Sequence, residues 1–594
     1  MPAEKGGGIF VWKRELYVKK CYRHLADPAI YSLKKTDHTL TTNSKVFKGI
    51  KELIQLNLLP ESARNLHLFD SDLGESVFYL LTKNPDAPGR PLVSSNSCPT
   101  EHIASVLDGI FKTVVASLPS FIKDTDHAIE KLNLISFRPT KPMRIFRLDA
   151  GSLYTSIPHK DGLEAVKHYF TKTPHHKLST DTIVRLTELV LTCNSLEFDG
   201  NFYEQIKGVP LGSKMSDSYV SIFMGYLEER INKNYKGNLP KFYFRCNADG
   251  IGYMEKTDLE KYITFCKSFY ADIKLEYKIS NSRVNFLDLR VSVHNDAPFI
   301  RTEIVFDPNS FDYLLYTSSH PKAYKEEILQ SQLSQLRRAC TNDNDFSMKA
   351  QEMFGFFRQC LYPELQFKKA LKHVSRFSRD SYFLRGSKTT TERLKLFLPY
   401  HPHSKSVKDI LLRNFNILSS DPDFGSLFKN LPEVIYKPNP SLWDILVHKR
   451  LPSLSPPGTS PCKIKNCKLC QYTFETNSIR FPGGAMRVRE HFTCLSRGVV
   501  YVIKCKLCHE CYIGQTGVKL SQRAGQHITS IRKKTKCPVA VHFNAPDHRR
   551  LEDFSITAVR SCRNTEERKK LENRLIYKYD PLGPKGMNKI FSLL

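Results

Sequence analysis

Long apolar runs are what this sequence most plainly lacks. No hydrophobic stretch in its 594 residues approaches the roughly 20 that cross a bilayer, which excludes a helical membrane-spanning protein. The first residues, "MPAEKGGGIFVWKREL", lack the charged-then-apolar layout of a secretory leader, so secretion is not expected. There is no internal repeat and no long low-complexity tract, against a solenoid or a disordered chain. Negative charge is also short: 60 Asp and Glu stand against 89 Lys and Arg, a net charge of +29. That surplus fits a polyanionic partner whose phosphates it would neutralise; a merely soluble basic surface is the bland alternative.

What is present is ordinary for globular protein, with 41% hydrophobic and 25% charged residues. The length exceeds what one core organises, so about two to four domains are expected. Nine of the 16 cysteines fall between Cys462 and Cys562. Clustered CxxC pairs in a chain not expected to be secreted point to metal rather than to cross-links. Residues 1–300 mix strand-like with helical runs, and residues 301–400 read as mostly helical, as in "KAYKEEILQSQLSQLRRAC". The stretch "LPSLSPPGTSPC" (451–462) is the clearest linker. A cysteine-rich segment comes next, then a compact α/β segment. The expectation is a multidomain α/β (α+β) chain divided at 1–300, 301–450, 451–498 and 499–594.

In "RIFRLDAGSLYTSIPHKDG" an apolar strand delivers Asp149 and turns through Leu153 and Tyr154 into a helix. An acidic residue ending a buried strand is costly unless a metal or partner meets it, although such residues more often cap turns. Downstream, "QIKGVPLGSKMSDSYVSIFMGYLEER" gives a turn through Gly208 and Gly212 that opens an amphipathic helix. Upstream, "FYLLTKNPDAPGRPLVSSNSCPTE" offers Lys83 and Arg90 beside a Pro-Gly turn. Singly these are weak signals; their order before "FYFRCNADGIGYM" carries more.

The rear segment is denser in chemistry. "PCKIKNCKLC" gives Cys462, Cys467 and Cys470, with Cys494 some twenty residues on, the spacing of a tetrahedral zinc knuckle. His491 is the alternative fourth ligand, and idle thiols are the bland reading. Beyond it, "VVYVI" and "CYIGQTG" are two strand segments of a hairpin, each with a tyrosine, Tyr501 and Tyr512, the second followed by Gly514. The next helix carries Arg523 and His527 four residues apart, on one face. "RKKLENRLIYKYD" places Glu572 in a helix, and "PKGMN" ends in Asn588. Two strand tyrosines taken alone are more often core aromatics, and a helical Glu a solvated charge.

Taken together, the front motifs resemble the palm of a reverse transcriptase. The phrases "PGRPLVSSNSCPTE", "SLYTSIPH", "NFLDLRV" and "YLLYTSSHPKAYKEEIL…RRAC" are similar to Penelope-like retroelement proteins over almost the whole chain. The rear segment resembles the GIY-YIG nucleases, with Val500 where isoleucine is usual. The resemblance implies right-hand fingers and palm, a helical thumb, a zinc knuckle and a small α/β nuclease domain. It implies that Asp149 holds Mg²⁺ (or Mn²⁺) for nucleotidyl transfer, that Tyr154 packs under the incoming sugar, and that Gly208 to Ser213 shape the template pocket. Lys83 and Arg90 would face the triphosphate. In the nuclease it implies Tyr501 as base or base-orienter, Arg523 on the charged transition state and Glu572 on Mg²⁺. Tyr512, Gly514, His527 and Asn588 complete that set. A structural Zn²⁺ on Cys505, Cys508, His542 and His548 would brace the hairpin loop, with Cys511 a competitor for a ligand position. The implied partners are a DNA target and the element RNA, without a membrane, and the implied location is nuclear after cytoplasmic synthesis.

Three departures bear on activity. Where the family carries Tyr-x-Asp-Asp, "RCNADG" sets Ala248 at the metal-binding aspartate and Asp249 at the second; a one-residue bulge would instead bring Asp249 to the first. A basic segment usual after "LLTK" is missing. "PAEKGGG" resembles a motif normally found well inside the polymerase, so upstream sequence is expected to be absent. The sequence therefore points to DNA nicking with impaired RNA-directed DNA synthesis. A catalytically idle nucleic-acid-binding relic is the alternative.

Overall fold

Alternating burial along residues 143–151 builds the centre of the front half. The protein is seen in a computed structural model that describes residue 9 and residues 11–588, apart from 67–72, 74–75, 82–88, 97, 136–141, 271, 295–298, 307–312, 383–393, 402–404, 424, 429, 438, 440, 443–445, 448–454, 463–466, 563–564 and 580–585. Lys83 lies outside the described residues. The first strands are β1 (Tyr31–Lys34), β2 (Ser76–Leu81), β3 (Arg90–Ser94), β4 (Met143–Gly151), β5 (Ser195–Phe198), β6 (Asn201–Gln205), β7 (Phe242–Cys246), β8 (Asp249–Glu255) and β9 (Lys274–Ser280). They form a five-stranded sheet in the order β1-β6-β5-β2-β3 and a four-stranded sheet in the order β7-β8-β4-β9. The second is antiparallel throughout.

Side chains alternate across a strand, so the two faces of β4 diverge. Phe146, Leu148 and Ala150 enter one core with helices Glu101–Ser117 and Ser216–Asn234, whereas Met143 and Ile145 enter another. Arg147 and Asp149 share the face of Ile145. The helix Ser216–Asn234 is not amphipathic as its sequence suggests. Tyr219, Val220, Ile222, Phe223 and Met224 are all buried, because helices lie against it from more than one side.

The second core joins the front sheet to a smaller sheet and a set of helices. Strands β10 (Arg283–Phe286), β11 (Leu289–Val293) and β12 (Ile300–Ile304) form an antiparallel sheet. Three helices, Lys322–Ala339, Asp343–Gln359 and Glu364–Val374, pack with it against Met143, Ile145, Ile251 and Tyr253. Residues 301–450 are not helical throughout. Strands β13 (Lys395–Pro399) and β14 (Glu433–Lys437) pair in parallel across the helix Lys405–Ser419.

The rear strands are β15 (Gly458–Ser460), β16 (Ser478–Phe481), β17 (Gly484–Arg487), β18 (His491–Thr493), β19 (Val499–Cys505), β20 (Cys511–Thr516) and β21 (Phe554–Ser561). The main sheet runs β20-β19-β21. Val499, Tyr501, Ile503 and Cys505 face helices Leu520–Arg532 and Pro538–Phe543 together with Leu469, Phe492 and Cys494. Val500, Val502 and Ile513 face the β16–β17 hairpin and the helix Thr565–Tyr579.

The end of the expected linker is therefore structured. β15 pairs in parallel with β18, and the fully buried Thr459 accepts a 2.8 Å bond from Ala558 N of β21. Its small polar side chain supplies a partner at the sheet surface, which outweighs the Pro/Ser composition around it. The cysteine-rich segment packs on the same core as Tyr501. Among the described residues, no helix is long and apolar enough to cross a membrane.

Candidate functional site

Strand alternation brings Tyr501, Tyr512 and Gly514 to one face of the rear sheet, where Tyr501 pairs with Gly514 and Ile503 with Tyr512. Arg523 and His527, one turn apart on the facing helix, meet them there. Arg523 Nε donates to Tyr501 Oη at 3.0 Å, and His527 Nε2 lies 2.7 Å from the same oxygen. With Arg523 donating, both contacts are satisfied when Tyr501 gives its own proton to a neutral His527. Burial, with Arg523 adding to it, lowers the His527 pKa to about 3, so the ring is neutral near pH 7. Burial raises the Tyr501 pKa far above that of an ordinary phenol, with Tyr512 adding to the effect.

One feature near this pair is invisible to a motif search, and another, Gly514, gains its physical reason from the structure. The β19–β21 register shifts between Val500 and Tyr501, leaving Val559 as the extra residue of a bulge that re-aims the strand beside Tyr501. Gly514 is required by contact: a Cβ there would lie 2.6 Å from Tyr501 Oη. Glu572 is buried on the helix against the opposite face. Its charge is nonetheless felt at Tyr512, whose pKa it raises second only to burial. Asn588 differs from its expected catalytic place. Its carboxamide donates to Ile513 O and accepts from Ile513 N, both at 2.8 Å, so it clamps the outer edge of β20.

The cysteines gather into two groups. The thiols of Cys462, Cys467, Cys470 and Cys494 all lie within 4.8 Å of one another, as do the ligand atoms of Cys505, Cys508, His542 and His548. His491 stands outside the first group, its Nδ1 donating to Pro456 O at 3.0 Å. Cys511 faces the opposite core, because it falls one residue out of phase with Tyr512. The Sγ–Sγ distances of 3.6 Å from Cys470 to Cys462 and to Cys494 are too long for disulfides. They suit the edge of a tetrahedron of thiolates about 2.3 Å from a central zinc, which is about 3.7 Å. In the second group, Cys508 Sγ lies 3.5 Å from His542 Nε2, and both buried ring nitrogens of His548 lack a hydrogen-bond partner. His542 Nδ1 sits 3.2 Å from Glu510 Oε2, a contact that leaves Nε2 as the ligating atom. Sequence reading missed Glu510, although its place two residues after Cys508 was a usable signal.

In the front half, Arg90 stacks over the Tyr154 ring at 5.3 Å, and Tyr154 Oη donates to Asp217 at 2.6 Å. The glycine turn is laced to both. Gly208, at φ +77°, passes so close that a Cβ would sit 2.2 Å from Tyr154 O. Gly212, at φ +120°, would meet Val93 O at 2.3 Å. Both positions demand glycine on conformation and on contact.

The β7–β8 hairpin is regular. Cys246 pairs with Asp249 around a two-residue turn, with Asn247 at φ +49°, and the register gives no bulge. Ala248 packs against the core, so Asp249 keeps the second position of the pair. Buried Arg245 holds the turn from beneath, donating to Glu228 at 2.5 Å and to Asn247 O at 2.9 Å. Asp149 lies directly across from Asp249 on β4. Its side chain is 58% exposed on the open face, so no desolvation cost needs a metal to offset it. Asp249 is occupied by Arg147, whose Nε and Nη2 donate to its two oxygens at 2.7 and 3.1 Å. Burial raises the Asp249 pKa, and the Arg147 guanidinium opposes that rise.

A profile of the GIY-YIG catalytic domain matches residues 497–588, and one of an animal helix-turn-helix domain matches residues 312–372. The chain thus carries a GIY-YIG catalytic domain. No curated protein matched the chain. Among solved structures, telomerase from Candida albicans in complex with a fragment of telomeric RNA shares 10% identity, with 70% of this chain and 68% of that one covered and a TM-score of 0.44. The Sicinivirus 3Dpol RNA-dependent RNA polymerase shares 13%, covering 56% and 71%, with a TM-score of 0.36. A loop-deletion mutant of a human picobirnavirus RNA-dependent RNA polymerase shares 9%, covering 62% and 82%, with a TM-score of 0.38.

Proposed function

We propose that the chain is a DNA-nicking endonuclease joined to a reverse-transcriptase-like module, of Penelope-like retroelement origin, and that nicking is the activity it retains. The observation that carries this reading is the buried Tyr501 hydroxyl held between Arg523 and His527, inside the segment that matches the GIY-YIG catalytic domain.

The residues divide the work of phosphodiester hydrolysis. Tyr501 orients the attacking water, its own hydroxyl fixed by the bond it gives to the unprotonated His527 Nε2, and the water releases its proton to solvent. The resulting hydroxide attacks phosphorus, the bond to the sugar oxygen breaks, and that oxygen leaves with a solvent proton. Arg523, half-buried and tied through Nη1 to Gln526 at 2.8 Å, is pre-oriented beside the charge that grows on phosphate. Tyr512 positions the strand, and Gly514 keeps the two rings in register.

Glu572 offers the hard oxygen donor that Mg²⁺ or Mn²⁺ prefers, and such an ion would supply charge stabilisation at the leaving oxygen. The two cysteine groups fit structural Zn²⁺ on Cys462, Cys467, Cys470 and Cys494, and on Cys505, Cys508, His542 and His548. The front residues do not fit a two-metal polymerase: a methyl group replaces one carboxylate at Ala248, and Arg147 engages the other at Asp249. Arg90, Tyr154, Gly208, Gly212 and, by sequence alone, Lys83 form the nucleotide side of that module. Residues 301–450 would be its thumb and connection, with helices Lys322–Ala339, Asp343–Gln359 and Glu364–Val374 as the helical part. DNA and an RNA are the partners, met in the nucleus. A second reading, a nucleic-acid-binding relic idle at both centres, is favoured by the Asp249–Arg147 pair alone.

The test is nicking of supercoiled plasmid in Mg²⁺ by the parent, Glu572→Ala and Tyr501→Phe. Nicking lost in both variants supports the endonuclease. No nicking by the zinc-loaded, folded parent supports the relic.

A further inference from the structure

Arg147 is the one basic side chain that both front carboxylates meet among the contacts described, and no motif asked for it. It reaches Asp249 through two parallel bonds of 2.7 and 3.1 Å, and its Nη2 also lies 3.8 Å from Asp149 Oδ2. The placement comes from the strand. Residues 147 and 149 share a face of β4, and β8 brings Asp249 alongside Asp149. A divalent ion held by these two aspartates would need the space and the lone pairs that the guanidinium takes.

We infer that Arg147 is the resident cation of the front site and a specificity-determining residue, which together with Ala248 makes the site refuse divalent metal. The inference rests on the reverse-transcriptase-like reading of that module and concerns its regulation.

A planar guanidinium matches a carboxylate bidentately and stays charged at every working pH. Mg²⁺ dehydrates reluctantly and demands near-octahedral oxygen ligands, so it competes poorly for a carboxylate already paired both ways. The pair is also shielded: the side chains are 28% and 20% exposed, and Asp249 takes a third bond from Leu287 N at 3.4 Å. Restoring the missing carboxylate at position 248 would leave Arg147 in place. The missing carboxylate at Ala248 therefore does not by itself describe the site, because Arg147 occupies the carboxylate that remains beside it.

The experiment is a Mn²⁺ titration of the full, zinc-loaded chain, monitored by electron paramagnetic resonance of the free ion. The parent is compared with Ala248→Asp, with Arg147→Ser/Ala248→Asp, and with Arg147→Lys/Ala248→Asp, which keeps the charge. Melting of each variant is recorded alongside. The expected result is a Mn²⁺ stoichiometry unchanged by Ala248→Asp and by the lysine double variant, but raised by at least one ion in the serine double variant. A gain from Ala248→Asp alone overturns the inference. So does the absence of a gain in a serine double variant that melts like the parent. Primer extension by the same proteins separates the two levels: a Mn²⁺ gain without extension leaves the inference standing and removes the polymerase reading.

Discussion

Replacing Gly514 by alanine adds one methyl group where the structure has no room for it. The Cβ would lie 2.6 Å from Tyr501 Oη and 2.7 Å from Tyr512 Cε1. Comfortable separation is about 3.5 Å, so the Tyr501 ring must retreat by about 1 Å. It cannot do so and keep both partners. Its bonds to His527 at 2.7 Å and Arg523 at 3.0 Å would stretch beyond useful hydrogen-bond range. A misplacement of that size in a reacting group costs about 10²-fold in rate. Overpacking a buried position costs about 1–3 kcal/mol in stability. The assay is the initial rate of plasmid nicking at saturating Mg²⁺, with thermal melting of the same preparation. The expected outcome is a rate about 100-fold lower, in kcat more than KM, from a protein that still melts cooperatively. A rate within about threefold of the parent would refute the steric argument, because the hydroxyl would then not need its place.

Other outcomes are expected from the same geometry. Glu510→Gln should weaken zinc at the Cys505–His548 group by about 10- to 100-fold in chelator competition, with Cys462–Cys494 unaffected. Cys494→Ser should lower the rear melting transition and leave the front one in place, since that thiol sits in the Tyr501 core; an unchanged rear transition would contradict the shared core. Arg245→Met leaves Glu228 facing the core with Ser120 but without its cationic partner, and should cost the front transition about 3 kcal/mol in denaturant unfolding. His527, lowered to about 3 when folded, ties stability to pH. The unfolded state binds its proton first, so stability is full above about pH 6.5 and falls as pH drops, by about 2 kcal/mol between about pH 7 and about pH 5. His527→Gln should reduce the slope of rear-unit melting by about that amount, leaving the part that His542, lowered to about 4, contributes.

Reactive groups were legible in the sequence where chemistry dictates spacing, and invisible where packing decides. The eight zinc-type ligands carried spacing and residue type, and the structure gathers them into two groups. Tyr501, Arg523 and His527 were legible because a hairpin and one helical turn place them on facing surfaces. The clamp that Asn588 makes on Ile513 was not legible, because an amide that holds an edge strand looks in sequence like one that touches substrate. Arg147 was missed, although Arg-x-Asp on a strand already sets both groups on one face. The Val559 bulge left no residue signature, since it arises from the register between β19 and β21. The strand at residues 458–460 was hidden by prolines around it, and only the distant Ala558 backbone explains why Thr459 is buried.

That last contact has a consequence for how the molecule comes into being. Thr459 and Ala558 stand 99 residues apart in sequence, and Ile513 waits on Asn588, another 75 residues away from it. A chain emerging from the ribosome can close the four-stranded front sheet once residue 280 is out. The nuclease core cannot close until almost the whole rear segment has emerged. The Tyr501–Arg523–His527 cluster therefore gains its full support only when the last part of the rear segment is in place.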